Sequence, residues 1–94
     1  MNTIQSLCIP RMEARITKEY ILQTLNKLKI GKIEQITEIP LRNDMKNKRV
    51  IIKIRWSQSE NAINMVTRLK NDETIKLVHE WPWFWRVVST HPQI

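Results

Sequence analysis

Arg49-Val50-Ile51-Ile52-Lys53-Ile54-Arg55-Trp56 is the stretch on which the reading of this chain turns. β-Branched residues dominate it, and they suit a pleated, half-buried surface. Successive side chains of a strand point to opposite faces. Val50, Ile52, Ile54 and Trp56 therefore share one face, and Arg49, Ile51, Lys53 and Arg55 share the other. An apolar row backed by a mostly cationic one predicts a sheet covered on one side and open on the other.

Upstream, Leu41 to Lys48 is polar and charged and reads as a hairpin loop. Before it, Lys32 to Ile39 carries Ile33, Ile36 and Ile39 and predicts a strand closed by Pro40. Its period is not cleanly two, which predicts a bulge or an edge position. Thr17 is the expected N-cap of a helix reaching about Lys29. Tyr20, Ile21, Thr24, Leu25 and Leu28 fall on one side of that helix, and Gly31 stops it. Leu7-Cys8-Ile9 reads as a first strand ending at Pro10.

Downstream, Ser57 with Glu60 has the spacing of a capping box. It opens a second helix with Ala62, Ile63, Met65, Val66 and Leu69 as its stripe, closed by Asn71-Asp72. Ile75 to Val78 and Trp83 to Val88 are expected strands, turning at Glu80-Trp81-Pro82. The order strand, helix, strand, strand, helix, strand predicts an α+β fold, the ferredoxin-like βαββαβ sandwich. It implies a four-stranded antiparallel sheet with two helices on one face, plus one extra short strand before the last.

Composition agrees with one small folded domain over residues 1–94, its core at about 6–88 between tails 1–5 and 89–94. The 94 residues are 41% hydrophobic, well above a disordered composition. Sixteen Lys and Arg face nine Asp and Glu, a formal charge of +7, which calls for an acidic partner. Cys8, the one cysteine, cannot form an internal disulfide, and no apolar run has the length of a membrane span. An intracellular protein with no membrane partner is expected. The single glycine, Gly31, excludes a Gly-rich phosphate loop.

The residues resemble the RNA-recognition-motif family over roughly Ser6 to Val88. Gly31-Lys32-Ile33-Glu34-Gln35-Ile36 is similar to the G-x-I-x-x-I opening of that family's second strand. Lys48 to Ile54 and Leu7 to Met12 take the places of its two signature strands. The resemblance implies base stacking at one first-strand and two third-strand positions, which fall here on Cys8, Arg49 and Ile51. None of these is aromatic. The stretches Cys8 to Met12 and Trp81 to Val87 also resemble the two ends of small proteins encoded by large DNA viruses. That likeness implies host cytoplasm or a virion.

Two constellations carry candidate chemistry. Arg42, Lys46, Lys48, Arg49, Lys53 and Arg55 lie between Leu41 and Trp56 against Asp44 alone. Beside Ile51 on an open face, such cations can track a phosphate backbone by displacing condensed counterions. Trp81-Pro82-Trp83-Phe84-Trp85 concentrates the aromatic residues. Alternation sets Trp83, Trp85 and Val87 against Phe84, Arg86 and Val88, so one row faces the open side. Those rings suit stacking on bases, docking of a protein, or filling of a small core.

No catalytic pattern or cofactor motif is present, and neither His79 nor His91 has metal-ligand spacing. The expectation is a non-catalytic domain binding single-stranded RNA or DNA with low sequence preference. The alternative is a protein-interaction or homodimerisation module using the open face or the tryptophans, such as a viral structural component.

Overall fold

A computed structural model describes residues 4–90 of the chain. The elements run β1 (Ile4–Glu13), α1 (Lys18–Lys27), β2 (Gly31–Leu41), β3 (Asp44–Trp56), α2 (Glu60–Lys70), β4 (Ile75–Glu80) and β5 (Trp83–Ser89). The strands form one antiparallel sheet of five, not four, in the order β2-β3-β1-β5-β4. The extra strand, β4, is a full member of the sheet at its edge. Most of the residues expected in the tails, and His91, lie outside the described residues.

Leu7 and Ile9 of β1, Val50, Ile52 and Ile54 of β3, Ile75 and Leu77 of β4, and Trp85 and Val87 of β5 are all buried. Ile21 and Leu25 of α1 and Ala62 and Leu69 of α2 close over them in the same core cluster. The alternation expected for residues 49–56 holds: Arg49, Lys53 and Arg55 are exposed, and Ile51 is half-buried.

Several local expectations shift. Pro10 does not end β1, which continues to Glu13 through a register break between Ile9 and Met12. A residue without an N–H is tolerated where the ladder is interrupted. Leu41 to Lys48 is not a loop. Leu41 pairs with Asp44, leaving only Arg42 and Asn43 in the turn. The Asp44 carboxylate accepts from the Lys46 N–H (3.2 Å) and Asn47 Nδ2 (2.8 Å), so polar residues themselves brace the new strand end. The expected bulge in β2 lies between Ile33 and Gln35.

Thr17 caps α1 as expected, its hydroxyl accepting from the Tyr20 N–H at 3.1 Å. The second cap is Ser59 rather than Ser57, accepting from the Ala62 N–H at 3.1 Å. Ser57 instead donates to the Lys29 carbonyl (3.3 Å). Lys29, at φ 54°, rather than Gly31, takes the left-handed position after α1. Gly31 has another duty. At φ 154°, a Cβ there would lie 2.3 Å from the Arg55 carbonyl oxygen, so only glycine lets β2 begin this close to β3.

Candidate functional site

The face of the sheet away from the helices is open. Thr37, Ile51, Cys8 and Val88 are neighbours across β2, β3, β1 and β5 and form a central row. Cations flank it. Lys53 lies opposite Gln35 and Ser6, Arg55 opposite Lys32, Arg49 opposite Ile39, and Arg86 opposite Lys76. Arg55 Nε is 3.4 Å from Glu34 Oε1 in a solvent-exposed pair. Burial pushes the Cys8 thiol above its ordinary pKa, and the nearby Arg49 charge partly opposes this. A raised thiol pKa disfavours the nucleophilic thiolate, so Cys8 serves as a small apolar tile of the face.

Cys8, Arg49 and Ile51 therefore share the open face. The aromatic group of that face comes from β5: Phe84, opposite Val78, is 38% exposed. The Lys76 ammonium sits 5.1 Å from its ring centroid, a cation–π contact. Beside it, a groove of about 670 Å³ is lined by Pro10, Arg11, Thr74, Trp83, Phe84, Arg86 and Val88. Arginines and rings around an apolar floor suit a base carried on a phosphate chain.

Not every expected residue joins this surface. Lys48 is only 6% exposed and turns to the helix side, where its ammonium donates to Glu38 and to the Ile16 carbonyl. It is an internal tie, because β3 extends further back than a loop would have and carries residue 48 into the inward register. Trp85 is 5% exposed, stacked on His79 (centroids 4.3 Å apart) with Tyr20 edge-on at 6.1 Å. It fills the core, because the helices cover its row of β5. Arg42 and Lys46 are exposed along the β2–β3 hairpin, with Arg42 in its turn and Lys46 near its end. Trp81 (83% exposed) and Trp83 (68%) stand at the β4–β5 turn, beyond the helices' cover.

Arg86 and Lys76 belong to the cationic face but were not singled out from the sequence, since neither lies in the charge-dense stretch around β3. The place of β5 beside β1 brings Arg86 there, and the position of β4 outside β5 brings Lys76. Among the described residues, no group of three or more His, Cys, Asp or Glu could hold a metal ion. No described helix is long and apolar enough to cross a membrane.

His79 is among the residues that line a second hollow. The Tyr20 hydroxyl is 3.1 Å from its Nδ1 and donates weakly to its carbonyl at 3.4 Å. Burial pulls the imidazole below its ordinary pKa, against the charges of Glu80 and Glu13. Compared with known proteins, the chain matches no family model, no curated protein and no solved structure.

Proposed function

We propose that this chain is a non-catalytic domain that binds single-stranded RNA or DNA through its open sheet face, with low sequence preference. The observation that carries the proposal is the juxtaposition on one face of Arg49, Lys53, Arg55, Arg86 and Lys76 with Ile51 and Phe84. Cations on a phosphate chain release counterions, and an exposed ring stacks on any base. Flat sheet surfaces suit splayed single strands better than a duplex.

The RNA-recognition-motif reading has support in the strand order. In β2-β3-β1-β5, the strand β5 takes the place that the fourth strand has in a ferredoxin-like sheet, and β4 is added outside it. Stacking is then moved from Cys8, Arg49 and Ile51 to Phe84 and its neighbours on β5. An intracellular setting, with host cytoplasm or virion as the viral version, fits such a ligand.

The double variant Arg49→Glu plus Lys53→Glu tests the proposal. Both side chains are exposed, so the fold should survive, as circular dichroism would report, while affinity for labelled single-stranded RNA falls at least tenfold. Unchanged affinity contradicts the proposal. A second reading draws on the exposure of Trp81 and Trp83, residue types enriched at protein-docking sites. It is favoured if nucleic acid fails to bind and size-exclusion chromatography shows a dimer.

A further inference from the structure

The second hollow has a volume of about 640 Å³, within the ~300–1,000 Å³ range of ligand clefts. The end of β1, the start of α1 and the β4–β5 hairpin enclose it, and its lining includes Arg11, Arg15, Glu13, Glu80, Tyr20 and Trp83. Arg11, Trp83 and Phe84 also line the groove on the open face. The two hollows thus share a rim, and a strand lying along the open face can continue over it into the cleft.

The chemistry inside the cleft differs from that of the face. Trp83 offers a large exposed ring. Glu80 is its partner in the β4–β5 ladder, just past a register shift after Val78, and ring and carboxylate both line the cleft. Glu13 is held by Arg15, its Oε2 2.6 Å from Arg15 Nε, whereas Arg11 makes only a loose 3.6 Å contact with Asp44. A carboxylate beside a stacking ring is a poor place for a phosphate but a good acceptor for a base edge. Ionised, it only accepts, and it can accept two hydrogen bonds side by side. Guanine alone among the common bases presents two adjacent donors, N1–H and the exocyclic amine. Adenine and cytosine set an acceptor beside their donor, and uracil flanks its one N–H with carbonyls.

We infer that the cleft is a guanine subsite. The base stacks on Trp83, its Watson–Crick edge donates to Glu80, and Arg11 on the rim receives the phosphate that links it to the strand on the open face. This inference rests on the single-strand reading above and adds to a sequence-tolerant surface one position at which the base is read. Because the cleft lies at the end of the sheet, the nucleotide it reads is expected at an end of the bound segment.

Anisotropy titrations with an eight-uridine RNA, and with the same RNA carrying one guanosine or one adenosine at either end, test it. The uridine octamer measures the open face by itself. Guanosine at one end should tighten binding about tenfold over adenosine at that end, the size of one bidentate base contact. In Glu80→Gln, which offers one acceptor and one donor, the ratio should fall to about one. A merely structural Glu80 would shift all the RNAs in parallel. If the uridine octamer binds but guanosine and adenosine are equivalent, or the preference survives Glu80→Gln, the subsite is overturned and the open-face reading stands. If no RNA binds, both fall.

Discussion

Trp81 and Trp85 stand four residues apart in one aromatic run, yet their surroundings are opposite. The buried indole of Trp85 stacks on His79 with Tyr20 edge-on to both rings, and that of Trp81 is in water. Removing a large buried ring costs about 3–5 kcal/mol, and a surface substitution usually stays within about 0.5 kcal/mol. Trp85→Ala should therefore lower the urea midpoint markedly, and Trp81→Ala should leave it nearly unchanged. Similar losses in the two variants would mean that the turn is packed, not exposed. Alternation along β5 separates Trp83, Trp85 and Val87 from Phe84, Arg86 and Val88 without any structure. It does not reveal where the helices stop covering a row, and that limit is what leaves Trp83 exposed at the strand's start. Lys48 teaches the same lesson with a charge. Its neighbours in sequence are solvated, but Glu38 and the Ile16 carbonyl, reached only by folding, make the inward position satisfiable.

At the scale of elements, α2 begins where the Ser59 hydroxyl accepts the Ala62 N–H, and the Ser59 hydroxyl also donates to the Lys29 carbonyl at 2.9 Å. Ser59→Ala removes a cap and a tie to the end of α1, and should cost about 1–2 kcal/mol in chemical denaturation. Ser57→Ala should cost less, because it makes no cap. A larger loss from Ser57→Ala would return the cap to the position that its spacing from Glu60 suggests. The helices and the interior strand β3 were legible because their periods, 3.6 and two, are written in isoleucines, leucines and valines. The reach of β1 past Pro10 and of β3 back to Asp44 was not, because it depends on ladder partners that local composition does not name. In the same way, strand alternation in the charge-rich stretch put Arg49, Lys53 and Arg55 on one face, and all three are exposed there. Arg86 joins them through the pairing of β5 with β1, and Lys76 through the pairing of β4 with β5.

Over the whole molecule, a formal charge of +7 is distributed unevenly between two sides of one sheet. The helix side buries its one inward lysine against a glutamate, while the open side keeps its arginines and lysines in solvent around an apolar row. On the proposed reading, such a surface would draw a polyanion to the open side, and the ring on β5 with the shared rim at Arg11 and Trp83 would give it a path. Fluorescence anisotropy of a labelled eight-uridine RNA, titrated across a series of salt concentrations, tests the open face most directly. Contact with about five phosphates predicts that log affinity falls against log salt with a slope near −3.5. Binding that ignores salt, or no binding even at the lowest salt, would contradict the open face as a nucleic-acid surface.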